Sequence, residues 1–189
     1  MAKLYIPLFF TLFFLSSNFA ISRAKIENPT KTLPLSNLRE KSAVIQFYVH
    51  DALSGPNASL WEVGRATITS GSPTSFGLVR VLDDKLTAEP ERNAPEVGRG
   101  QGIVTSSDFR VVALTMDVNI VFTTGKYNGS TLCLAGRNLV GTKDIELPIV
   151  GGTGVFRMAR GYAISNAYSF DSVDNYLILD YTMYVYYYG

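Results

Sequence analysis

The chain has 189 residues, 47% hydrophobic and 17% charged, enough for one domain with a sizeable core. Its formal net charge is +1 and no basic run occurs, which excludes the electrostatic footprint of a nucleic-acid binder or of a protein held on acidic lipid. One histidine and one cysteine cannot assemble the usual zinc or copper ligand sets, so no metal and no cofactor is expected.

In chain order, Lys3 and the apolar run from Leu4 to Leu15 come first. Small residues follow at Ser16, Ser17, Ala20, Ser22 and Ala24. This is the pattern of a secretory signal peptide over residues 1–22, with cleavage between 20 and 24. The run is shorter than the roughly 20 residues a membrane span needs, so the cleaved chain is expected to be exported and free of the membrane. Residues 23–41 are polar and aperiodic and read as a mobile N-terminal arm. The folded domain is expected over 42–189.

Strands are predicted over 44–50, 61–69 and 76–82, the last bounded by Asp83-Asp84 as a turn. Others follow over 97–105, 111–123 and 130–135, one more after Phe156, and a last over 176–188. In 111–123 the alternation puts Val112, Leu114, Met116, Val118, Ile120 and Phe122 on one face, with Asp117 on the polar one. In 176–188 both faces are largely apolar. One face therefore lines a core or cavity, and the other packs on a second layer or a subunit. Strands without helical period, separated by Gly and Asn turns, indicate an all-β sandwich or barrel.

Export gives meaning to Asn57-Ala58-Ser59 and Asn128-Gly129-Ser130, which fit the N-glycosylation acceptor pattern at Asn57 and Asn128. The lone Cys133 allows no internal disulfide and reads as a buried, inert thiol. A Ser-His-Asp hydrolase would need His50, but Asp51 cannot orient it, because adjacent strand residues point to opposite faces. His50 is read as a strand-end residue with an ordinary hydrogen bond. Carboxylates are the remaining acid–base candidates. Asp180 interrupts an apolar strand and reads as a paired structural acid. Asp51 ends an apolar strand, and a carboxylate in an apolar cavity has a raised pKa suited to proton exchange near neutral pH. Spacing alone leaves the role of Asp51 open.

Phe47-Tyr48-Val49-His50-Asp51, the block from Phe76 to Thr87, Val97-Gly98-Arg99-Gly100-Gln101-Gly102, Tyr127 to Leu132, Gly136-Arg137-Asn138, Val150 to Gly154 and Ala159 to Ala163 together resemble, in order, the motifs of the plant dirigent family. The resemblance implies an eight-stranded antiparallel β-barrel, secreted to the apoplast or cell wall, and a homo-oligomer, a trimer. It implies stereoselective coupling of phenoxy radicals in lignan or related phenylpropanoid biosynthesis, with the radicals supplied by a separate laccase or oxidase. It also admits a cyclase or dehydratase of the pterocarpan-synthase type, which forms a quinone methide without an oxidant, or a non-catalytic wall-binding role. Of the two pocket aspartates of lignan-forming members, the first corresponds to Asp51, a catalytic candidate, and the second falls at Asn138, a substrate-binding candidate. Further departures from those members fall at Val104, Ser106 and Ile145. Their paired cysteines are missing here.

The stretch Gly151-Gly152-Thr153-Gly154 lacks the Lys-Ser/Thr of a phosphate loop and the third glycine of a dinucleotide turn. It is predicted to be a turn, and Arg157 and Arg160 to be structural or surface charges.

Overall fold

A computed structural model of the chain describes residues 38–189. The leader over 1–22 and most of the arm over 23–41 lie outside the described residues. The fold is all β. Nine strands run β1 Glu40–Ala52, β2 Leu60–Arg65, β3 Leu78–Thr87, β4 Glu96–Ser106, β5 Ala113–Phe122, β6 Thr131–Leu139, β7 Ile145–Thr153, β8 Arg160–Asp171 and β9 Tyr176–Tyr188. Each pairs antiparallel with its neighbours in the order β1-β9-β8-β7-β6-β5-β4-β3-β2, and a further β1–β3 ladder closes the ring.

The ring itself has eight positions, because β1 and β2 share one. The C-terminal end of β3 pairs with Tyr48–His50 of β1, and its N-terminal part pairs with β2. This is the eight-stranded antiparallel barrel that the family resemblance implies. Closure turns one face of every strand inward, which accounts for the inner apolar face of 176–188. Tyr181, Met183 and Val185 are buried inside, while Tyr184 and Tyr186 stand exposed outside. In β5 the predicted alternation holds, with Val118, Ile120 and Phe122 buried inside and Asp117 exposed outside.

Three local expectations are corrected. The strand predicted over 61–69 stops at Arg65. The chain then folds back, Ala66 N donating to Gly77 O at 3.1 Å and Thr69 Oγ1 to Phe76 O at 2.8 Å. Asp83-Asp84 is no turn: β3 runs on to Thr87, because Asp83 and Asp84 pair with Gln101 and Gly100 of β4. The glycine stretch is mostly strand. Gly151 and Gly152 pair with Cys133 and Leu132, and only Gly154, at φ +62°, begins the turn. Gly152 is required by closeness rather than by bending: a Cβ there would lie 2.5 Å from Thr131 O and 2.8 Å from Phe156 Cβ.

One end of the barrel is plugged. Phe156 is fully buried and packs edge-on against Tyr187 at 5.3 Å, against Tyr127 at 4.7 Å and against Phe122 at 5.6 Å between ring centres. Leu132, Leu147, Ala163 and Met183 are also fully buried in this core. The other end stays open, and the site lies between.

Candidate active site

Above the plug the barrel holds a cavity of about 640 Å³. Its wall is mostly aliphatic, with Val49, Leu82, Val118, Ile120 and Leu134 among the lining residues. Thr142, Lys143, Asn166 and Tyr181 are also among its lining residues, and Asp51, Arg80, Asp84 and Asn138 bring polar chemistry into the wall. Strand alternation puts them there. On β1, Phe47, Val49 and Asp51 share the inward face; on β3, Arg80, Leu82, Asp84 and Leu86 share theirs. The β1–β3 ladder pairs Val49 with Leu86 and His50 with Lys85, so continuing the register by one step sets Asp51 across from Asp84. The closure of the ring therefore brings the two carboxyls together.

Their environment changes their acidity. Burial pushes Asp51 up to about 6, against a smaller opposing pull from the Arg80 guanidinium. Burial, and then the neighbouring Asp51 charge, push Asp84 up to about 8, although a hydrogen bond from Ser59 works the other way. Near neutral pH the pair therefore holds about one proton, chiefly on Asp84, because two like charges in one apolar wall cannot both ionise cheaply. Asp84 is 3% exposed, and Ser59 Oγ donates to its Oδ1 at 2.5 Å. Oδ1 of Asp51 and Oδ1 of Asn138 are buried without a protein partner. Asn138 Nδ2 donates to Met116 Sδ at 3.4 Å. A buried acceptor without a donor costs about 1–3 kcal/mol, so this wall favours a ligand that brings two donors, such as phenolic hydroxyls.

The pair also makes stability depend on pH. Both folded-state pKa values lie above the ordinary carboxylate value, so the folded chain keeps protons that the unfolded chain has released. Stability contributed by the pair is present below about pH 4 and is lost as pH rises through about 8, at up to ~1.4 kcal/mol per pH unit for each proton involved. Asp84→Asn is expected to flatten this slope, raising the melting temperature relative to wild type at pH 8 more than at pH 5. Equal slopes in thermal melts of the two proteins would contradict the placement of the shared proton.

Of the residues singled out in the sequence, Asp51 and Asn138 line the same cavity, as do Val104 and Ile145, whereas Ser106 is buried outside its lining. Asn57 and Asn128 sit exposed in loops. His50 is buried on the outer face, its Nε2 2.7 Å from Thr87 Oγ1. Thr87 Oγ1 donates its own proton to Glu89 O at 2.5 Å, so Nε2–H is the donor of the pair. Cys133 is half-buried. Its Sγ donates to Asn119 Oδ1 at 3.0 Å, and burial raises its pKa, so it is a poor nucleophile. Asp180, read as paired, is half-buried on the outer face and joins no salt bridge among the described residues; its cross-strand neighbours, Tyr48 and Asn166, carry no charge opposite to its own. Arg160 pairs with Glu40 at 2.7 Å.

Three residues of the site escaped the sequence reading. Asp84 was hidden in a dipeptide that looks like a turn, and Arg80 in a strand expected to carry no chemistry. Ser59 was read only as part of a glycosylation tripeptide. Extending the period of two from Leu78 through Leu86 would have found the first two on an inward face; nothing local marks Ser59.

The comparisons with known proteins agree with this architecture. Residues 43–186 match the family described as dirigent-like protein. Dirigent protein 21 of Arabidopsis thaliana is 39% identical over 98% of this chain and 99% of its own length. Pterocarpan synthase 1 of Glycyrrhiza echinata is 39% identical over 79% of this chain and 80% of its own. The solved structure of the pterocarpan synthase dirigent protein GePTS1 superposes with a TM-score of 0.73 at 36% identity, covering 84% of this chain and 89% of that one. A closed eight-position barrel, a family match over most of the described residues and relatives aligned nearly end to end converge on one statement: this chain is a member of the dirigent protein family.

Proposed function

We propose that the barrel takes a phenolic phenylpropanoid and controls the formation and stereoselective closure of its quinone methide by acid–base chemistry at Asp51 and Asp84. The observation that carries this reading is the facing carboxyl pair of Asp51 and Asp84 in a largely aliphatic cavity, where burial raises the pKa of both. Similarity to the pterocarpan synthases of Glycyrrhiza echinata and Glycine max supports it.

The Asp84 carboxylic acid gives its proton to a benzylic hydroxyl, whose C–O bond breaks and releases water. Asp51 takes the proton of the conjugated phenol, leaving a neutral quinone methide. A second phenolic oxygen attacks the methide carbon and its proton goes to Asp84, while Asp51 returns its proton to the carbonyl oxygen. The net change is loss of one water, with both carboxyls restored. The wall holds the attacking ring over one face of the methide. Each tenfold stereochemical preference then requires only ~1.4 kcal/mol between the two approaches.

A second reading, coupling of two phenoxy radicals made by a separate laccase or oxidase, is favoured by the size of the cavity. It would use the same pair to close the coupled quinone methides. The test is dependence on oxidant. Purified protein with a 2′-hydroxyisoflavan bearing a benzylic hydroxyl should form one enantiomer of the cyclic ether without added oxidase, followed by chiral chromatography. Turnover seen only with laccase and a monolignol would establish the second reading; racemic product in both assays would sink both. Export by the leader over 1–22 and assembly into a homo-oligomer belong to the same proposal. The exposed tyrosines of β8 and β9, Tyr162 stacked on Tyr184 with Tyr186 beside them, support the assembly.

A further inference from the structure

At one place, between β1 and β2 along β3, no ladder covers the barrel wall, and a single hydroxyl fills the gap. Along one edge of β3, residues Lys85–Thr87 pair with β1 and residues Leu78–Leu82 pair with β2, so neither ladder covers Asp83 and Asp84. Ser59, at the end of the β1–β2 loop, occupies this gap. Its backbone N donates to Ala52 O at 3.0 Å and its carbonyl accepts from Asp83 N at 2.9 Å. Its Oγ accepts from Ala52 N at 3.0 Å and donates to Asp84 Oδ1 at 2.5 Å. On the inside, Asp84 lines the barrel cavity. On the outside, Ser59 lines a separate polar cleft of about 620 Å³ that also includes His50, Asp83, Lys85, Arg92 and Arg99. Ser59 therefore stands between the barrel cavity and the outer cleft.

We propose that Ser59 conducts protons through the wall, connecting the Asp51–Asp84 pair to water in the outer cleft while substrate fills the mouth of the barrel. This rests on the acid–base reading above. A hydroxyl has one proton and two lone pairs. In Ser59 the proton points to Asp84, one lone pair takes Ala52 N–H, and the second is left for the cleft. To load the pair, a cleft water donates a proton to Ser59 Oγ as the Ser59 proton passes to the Asp84 carboxylate. One O–H bond forms and one breaks at Ser59, and the hydroxide left outside is neutralised by solvent; unloading is the reverse. The ring-closing cycle returns each carboxyl to its starting state. The conduit therefore sets the single shared proton before chemistry and restores it when a turnover ends with the pair in the wrong form. Among the described residues no side chain other than Ser59 is hydrogen-bonded to Asp84. The charged or titratable groups around the route are His50 and Asp51 from β1, Arg80, Asp83 and Lys85 from β3, Arg99 from β4, Tyr176 and Tyr181 from β9, and Arg92 and Asp174 from the loops of the outer cleft.

The test follows hydrogen–deuterium exchange of the protonated Asp84 carboxyl by infrared spectroscopy after transfer into D₂O, the band being assigned by its loss in Asp84→Asn. The mouth is closed with a 2′-hydroxyisoflavan lacking the benzylic hydroxyl, which binds but cannot lose water. Wild type and Ser59→Thr should exchange at the same rate with this plug bound. Ser59→Ala should exchange at least about tenfold more slowly, because exchange then waits on local opening of the wall. Since Ser59→Ala also removes the acceptor tripeptide, Asn57→Gln serves as the control and should match wild type. If Ser59→Ala does not fold, Ser59→Cys, close in volume and a weaker donor, takes its place with the same expectation. A bound plug with unchanged exchange in the Ser59 variant overturns the conduit alone. Failure of the plug to bind by calorimetry overturns the reading of the cavity, and the conduit with it.

Discussion

Asp51→Asn is expected to slow ring closure by ~10²–10⁴-fold while leaving affinity for a phenolic ligand within severalfold. Asn keeps the size of the side chain and an acceptor oxygen, so a donor brought by the ligand still finds a partner. What it loses is the ability to take the phenol proton and return it. The Asp51 Oδ1 atom is buried in the cavity wall without a protein partner, so no neighbour stands ready to replace it. The change also removes the charge that helps to raise Asp84, so the remaining acid should titrate lower than in wild type. Single-turnover rates with calorimetric binding, each across pH, separate the two effects. A rate within threefold of wild type at saturating ligand would remove Asp51 from the chemistry. Lost binding with an unchanged rate constant would make it a docking residue.

Phe156→Ala is expected to destabilise the barrel by about 3–5 kcal/mol, the range for deleting a fully buried aromatic side chain. The ring is 0% exposed and closes the end of the barrel opposite the mouth, with Tyr127 4.7 Å and Tyr187 5.3 Å from its centre. The strands that meet there are held by a closed ladder and cannot collapse into the hole, so much of the cavity would persist. Phe156→Leu fills part of that volume and should cost well under half as much. Equilibrium unfolding in denaturant measures both. A loss below about 1 kcal/mol for the alanine variant would show that the aromatic plug is not part of the cooperative core.

How far the site was legible in the sequence differs from residue to residue. Asp51 stood out because it ends an apolar strand beside a family motif, and Asn138 because the same alignment placed it. Both line the cavity. Asp84 carries the larger rise in pKa, yet it was read as part of a turn, since two adjacent aspartates after an apolar run usually end a strand. The strand continues because β4 pairs along its whole length, burying one aspartate and leaving the other to Arg99 at 2.8 Å. The glycine stretch was misread in the opposite sense. Glycines suggested a bend, whereas Gly152 serves a straight strand that passes too close to Thr131 and Phe156 for any side chain. Strand β7, absent from the sequence reading, is short on alternation because Pro148 and these glycines interrupt it.

The sequence by itself determined the class of the fold, the strands with a clear period of two, the family, and Asp51 as the acid to watch. These depend on local alternation and on motifs contiguous in the chain. Only the tertiary structure decided that Asp84 faces Asp51, that Ser59 bridges the wall behind them and that Phe156 plugs the floor. The first two depend on which strand closes the ring against β3 and in what register, and the third on the meeting of Phe156 with Phe122, Tyr127 and Tyr187; all are contacts between residues far apart in sequence, which no local pattern encodes.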